Sequence, residues 1–107
     1  MIFIKALKDR NFDKNIRRAR CAAVLFFANS CAPCRMTGES FRAVSESRKG
    51  TKFFTVNVDD EEHLAKRCGV EVFPAILVFS DGELLLARYG ITGRKSLEDM
   101  LDGLKNN

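Results

Sequence analysis

The sequence predicts an α/β domain in which a central sheet is covered by helices on both faces. Three observations carry this. Helical and strand periodicities alternate along most of the chain and close with a hairpin and a helix. Ala22-Ala23-Val24-Leu25-Phe26-Phe27-Ala28 and Ala75-Ile76-Leu77-Val78-Phe79 are apolar at every position, as strands buried on both faces are. Cys31-Ala32-Pro33-Cys34 follows the first of these runs at once and opens a helical pattern.

Each element has its own signal. Ile2 to Leu7 reads as a short strand. Asn11 is a candidate cap for a helix over 12–20, in which Phe12, Ile16 and Ala19 share a face. Ala22 to Ala28 is the central strand. The helix after Cys31 runs to about Ser47, with Met36, Thr37, Ser40, Phe41 and Val44 in one stripe and Arg35, Glu39, Arg42 and Glu46 opposite. Over Lys52 to Val58, Phe54, Val56 and Val58 alternate with Phe53, Thr55 and Asn57, the period of a strand. Asp59 to Cys68 reads as a short helix with acidic residues in its first turn, and Gly69 stops it. Ala75 to Phe79 is a strand. Asp81-Gly82 is a hairpin turn, and Glu83 to Tyr89 returns antiparallel. Gly90 to Gly93 is a loop, and Leu97, Met100, Leu101 and Leu104 mark the final helix.

Length and composition narrow the function classes. The 107 residues suit one domain over 1–107, at 46% hydrophobic and 30% charged. The longest apolar runs fall far short of a membrane span, so no membrane partner is expected. Met1-Ile2-Phe3-Ile4 is too short for a signal peptide, and a cytoplasmic protein is expected. In a reducing compartment four cysteines point to redox or metal chemistry before structural disulfides. The net charge of +4 comes largely from Lys14-Asn15-Ile16-Arg17-Arg18-Ala19-Arg20. That run reads as a solvated helix face or, more sharply, as a docking patch for an acidic partner. No aromatic residues interleave with it, so nucleic acid is not an expected partner.

The cysteine pair carries the chemistry. A thiolate, not a thiol, attacks a disulfide, and a helix N-terminus favours the thiolate through its unpaired N–H groups and partial positive charge. Cys31 at the helix start is therefore the expected nucleophile, and Cys34, one turn inside, the resolving thiol. Pro33 suits the first turn, where a missing N–H costs nothing. A metal is the rival occupant of such a pair. Zinc wants four ligands, and the chain offers one C-x-x-C pair and one histidine, His63. Cys21 lies at the other end of its strand, ~20 Å away at ~3.3 Å per residue. Two chains could still share a metal or iron–sulfur cluster through their Cys-Ala-Pro-Cys motifs. Cys21 and Cys68 read as buried apolar fillers and His63 as a solvated side chain.

A C-x-x-C between a buried strand and a helix, followed by Val72-Phe73-Pro74-Ala75, resembles the thioredoxin family over nearly the whole chain. The resemblance implies the thioredoxin fold, a five-stranded mixed sheet of order 1-3-2-4-5. It implies a cis-proline at Pro74 and substrate contacts at Ala32, Pro33, Phe73, Pro74 and Gly90, with Cys31 and Cys34 as catalytic residues. The implied function is thiol–disulfide exchange that reduces protein disulfides in cell redox homeostasis. Electrons would come from a thioredoxin reductase or a thiol pool, with no bound cofactor and no metal, and a monomer is expected. The chain also departs from the family. Ser30 replaces a tryptophan, Ala32 a glycine, Leu25 a buried aspartate, Thr55 its lysine partner and Glu39 a helix-kinking proline, and Phe73 stands where Thr or Ile is usual. Leucine beneath Cys34 implies a drier site. These departures keep open a second class of function, a partner-binding adaptor with little turnover, beside the metal-sharing dimer and an oxidase or isomerase.

Overall fold

The computed structural model describes residues 4–105, with side chains as far as Gly103. In chain order the elements are β1 (Lys5–Ala6), α1 (Asp9–Arg18), β2 (Cys21–Phe27), α2 (Ala32–Ser47), β3 (Lys52–Asn57), α3 (Glu62–Arg67), β4 (Ala75–Ser80), β5 (Glu83–Tyr89) and α4 (Arg94–Lys105). One five-stranded sheet has the order β1-β3-β2-β4-β5, as the resemblance implied. β1 and β2 run parallel to β3, while β4 is antiparallel to both β2 and β5.

The central strand shows why the sequence needs apolar residues at consecutive positions. Alternate side chains of a strand leave opposite faces. Ala22, Val24 and Phe26 enter a core with Phe12 and Ile16 of α1 and Leu64 and Ala65 of α3. Ala23 and Leu25 enter a second core with Phe41 and Val44 of α2 and Leu97, Met100 and Leu101 of α4. Phe26 and Phe41 are fully buried, one on each face. Each such ring contributes about 1.5–3 kcal/mol of hydrophobic stabilisation. β3 divides likewise, with Phe54, Val56 and Val58 on the first face and Phe53 on the second, edge-on to Phe41 at 5.3 Å. Asp81 and Gly82 have φ of 50° and 87°, the left-handed pair that a tight hairpin requires.

Several boundaries and one face differ from the sequence reading. α1 begins at Asp9, so Asn11 is not its cap; from inside the first turn, Asn11 Oδ1 accepts the Lys8 N–H at 2.8 Å. The helix also ends at Arg18 rather than Arg20. α3 starts at Glu62 because Val58 to Asp60 form a turn that leads to the N-cap Glu61, and the Asp60 and Glu61 N–H groups both donate to the Asn57 carbonyl. Met36 does not join the buried stripe of α2. It is 57% exposed, and Ser45 takes the inward place further along. Cys21 and Cys68 are half-buried rather than buried. Ile2 and Phe3 of the first expected strand and the Leu104 side chain lie outside the described residues. Among the described residues, no helix is long and apolar enough to cross a membrane.

Candidate active site

β2 delivers the chain to the site, and the four residues Ala28 to Cys31 turn it into α2. Ser30 takes φ of +53°, a left-handed conformation that is costly for a non-glycine residue. A ring of polar contacts holds the segment before it. The Asn29 N–H donates to Asp59 Oδ2 at 2.6 Å, the Asp59 N–H to Asn57 Oδ1 at 2.9 Å, and Asn57 Nδ2 to Asn29 Oδ1 at 3.1 Å. Sequence reasoning missed this clamp. Its signal was the Asn-x-Asp at the end of β3, side chains that bond to nearby backbone.

Cys31 is the N-cap of α2. Its sulfur accepts the Cys34 N–H at 3.2 Å, and its carbonyl accepts the Arg35 N–H, also at 3.2 Å. Cys31 and Cys34 are joined as a disulfide, with Cα atoms 5.2 Å apart. The outer cysteine is half-exposed and the inner one buried, at 5%. Ala32 and Pro33 lie exposed in the first turn, where Pro33 leaves no N–H unpaired.

The strand register brings the other expected residues to the same end of the sheet. Ala75 pairs with Phe26, which sets Pro74 beside the last residue of β2. The Phe73–Pro74 bond is cis, as the resemblance implied. The Gly90 N–H donates to the Pro74 carbonyl at 2.8 Å. Gly90 has φ of +87°, so its backbone alone calls for glycine. Two residues on, the buried Thr92 N–H donates to Thr37 Oγ1 of α2 at 3.1 Å, tying this loop to the redox helix. Met36, Val72 and Ile91, between 55% and 59% exposed, belong to the three segments that meet here.

Behind the disulfide, a groove of about 850 Å³ runs between α2 and the ends of β1–β3. Cys34, Leu25 and Phe41 line it, and Arg35 and Glu39 stand along its α2 side. Leu25 is buried between Thr55 and Ile76 in the sheet and lines the groove together with the buried Cys34.

The other cysteines stand apart. Cys21 begins β2 at the far end of the sheet, within 3.7 Å of the Thr51 hydroxyl. Cys68 is the C-cap of α3, and neither is in a disulfide. Burial pushes the Cys68 thiol up to about 11, and Asp13 and Asp9 add to the rise while Arg67 opposes it. His63 is exposed on α3, 3.9 Å from Asp9. Among the described residues no three His, Cys, Asp or Glu side chains converge as a metal site.

The comparisons with known proteins agree with this geometry. The family model described as Thioredoxin matches residues 3–106. A thioredoxin of Mycoplasmoides gallisepticum is 27% identical over 89 residues, 83% of this chain and 89% of that one. A thioredoxin of Rickettsia felis is 26% identical over 96 residues, 88% and 91% of the two chains. The fold superposes on mitochondrial thioredoxin 3 of Saccharomyces cerevisiae with a TM-score of 0.87 at 24% identity, covering 94% of each chain.

Proposed function

The chain belongs to the thioredoxin family and is a thiol–disulfide oxidoreductase, and from that premise we propose that it reduces disulfides of protein substrates. The observation that carries this reading is the placement of Cys31, whose sulfur caps α2 and faces the Cys34 N–H at 3.2 Å. A thiolate formed there is stabilised by the N–H and by the positive end of the helix.

In the proposed cycle the Cys31 thiolate attacks one sulfur of a substrate disulfide. A mixed disulfide forms, and the other substrate sulfur leaves as a thiolate that takes up a proton. Cys34 then loses its proton and attacks Cys31 Sγ. The Cys31–Cys34 disulfide forms and the second substrate thiol departs, so the substrate has gained two electrons and two protons. A thioredoxin reductase or a thiol pool returns both electrons to the pair. The proposal includes work as a monomer in a reducing, cytoplasmic setting.

Substrate binding in this reading uses the wall opposite Cys31. An extended peptide would pair with backbone beside Phe73 and Pro74, a short form of β-augmentation, while Ala32, Pro33 and Gly90 shape the floor. Exposed Met36, Val72 and Ile91 supply apolar contact.

Insulin reduction with a thioredoxin reductase tests the reading. Steady turnover is expected in the wild type, and Pro74→Ala should weaken it through substrate binding or release. A single round of mixed-disulfide formation without turnover would instead identify an adaptor.

A further inference from the structure

The basic run Lys14 to Arg20 finds no use in disulfide exchange, yet one of its cations, Arg18, lines a second cavity. This cavity, of about 440 Å³, lies among the start of β3, β1 and the C-terminal ends of α1 and α2. Lys52 pairs in register with Ala22, so it sits at the opposite end of the sheet from Phe27 and the cysteine pair. Five residues at ~3.3 Å each separate the two sites by ~17 Å.

Its lining is basic. Lys5, Arg18, Arg48 and Lys52 contribute four cations, and no carboxylate lines it. Arg48 Nη1 pairs at 2.8 Å with Asp102, which does not line the cavity. Arg48 Nε is buried and has no hydrogen-bond partner. Lys5 Nζ donates only to a neutral group, Asn15 Oδ1, at 3.2 Å. Arg18 and Lys52 have no ion partner among the described residues. Three cations are therefore uncompensated around one concavity, and a guanidinium N–H beside it is dry and unmade. An unmade buried donor on a charged group is costly, and gathered like charges repel. One anion relieves both. Arginine forks match phosphate oxygens in pairs, and lysine adds point charge. Phe53 and Ile4 give the cavity an apolar wall for the rest of such a molecule.

We propose that this cavity binds a phosphate-bearing small molecule, independently of the redox pair. The volume lies within the range of small-ligand sites. An arginine set into a concavity with its Nε buried also favours a free ligand over a flat lipid surface.

The test is an amide chemical-shift titration of the full chain with pyrophosphate and with inorganic phosphate, against sodium chloride at matched ionic strength. Saturable shifts are expected at residues 48 and 51–54, and not around Cys31. Arg48 is a poor first target, because its pair with Asp102 also ties α4 to the C-terminal end of α2. The exposed pair Arg18→Gln with Lys52→Gln should weaken pyrophosphate binding at least about tenfold, since two of the four cations go. Cys31→Ser should bind as the wild type does. Equal shifts with sodium chloride, wild-type affinity in the double variant, or shifts centred on Lys14 and Arg17 would each overturn the proposal. Co-sedimentation with phosphatidic-acid vesicles, without saturable pyrophosphate binding, would overturn the assignment to a free ligand.

Discussion

Cys31 and Cys68 are the same side chain placed at opposite ends of helices. Cys31 caps the N-terminus of the 16-residue α2, where an N–H points at its sulfur. Cys68 ends the six-residue α3, where its own N–H is spent on the Leu64 carbonyl. Its sulfur packs against the α1–α3 core, with Asp13 and Asp9 the nearby acids. Position along a helix and burial thus separate a thiol built for exchange from one held as packing. The reason is electrostatic: one site stabilises the charged form and the other excludes it.

The largest break in this comparison is to remove one sulfur from the site. Cys31→Ser should abolish disulfide exchange outright. Cys34→Ser should attack once and remain as a mixed disulfide, visible by mass as substrate bound to protein. If Cys34 proves the faster thiol to alkylate, the assignment of roles is reversed.

The next largest effect concerns proton removal from Cys34. Leu25 shares the groove with Cys34 and offers no proton acceptor. Leu25→Asp should lower stability by about 2–4 kcal/mol, the scale for a poorly paired buried polar group. It should also speed mixed-disulfide decay near neutral pH. Decay measured against pH in both proteins checks this, and identical profiles would mean that proton transfer does not limit resolution.

Cys68 supplies a pH prediction. With its thiol pushed up to about 11, on the order of 10⁻⁴ of it is thiolate at pH 7. After reduction, iodoacetamide should label Cys31 first and Cys68 last. Above the ordinary thiol value the unfolded chain releases this proton while the folded chain keeps it, until pH reaches the raised value. Stability therefore falls as pH rises through that window. Cys68→Ala should flatten the fall, as read from urea midpoints on either side of about pH 9.

The smallest effect belongs to Arg67. It bridges Asp9 at 3.2 Å and Asp13 at 3.0 Å and lies 5.8 Å over the Phe12 ring, joining α3 to α1. Arg67→Gln should cost about 0.5–1 kcal/mol, because the pairs are exposed. It should also slow Cys68 labelling further, since Arg67 is what restrains the rise of that thiol.

The elements legible in the sequence were those whose signal is local or strictly periodic. The all-apolar β2, the apolar run Ala75 to Phe79 of β4, the Asp81-Gly82 turn, the alternation of β3 and the order of all nine elements could be read directly. Strand order came from likeness to a family, since pairing partners leave little trace in one chain. Errors arose where a residue had two uses. Asn11 is a good cap by type, but Asp9 and Lys8 already start the helix, so it bonds backward instead. Met36 stands at the edge of the stripe read from the sequence, and the face that α2 buries, through Cys34, Thr37, Phe41, Val44 and Ser45, is turned away from it. The Cys31–Cys34 site was legible because its spacing is its chemistry. The Asn29–Asn57–Asp59 clamp and the Thr37–Thr92 contact span 28 to 55 positions, and no periodicity marks such pairs.

The Thr92 amide has a kinetic consequence. Its acceptor is a hydroxyl on another element, not a carbonyl of its own helix or strand. Solvent deuterium can reach it only when the loop after Gly90 parts from α2. Its exchange rate therefore counts openings between the substrate-side loop and the redox helix, and a substrate held between them would slow that count without touching the amide.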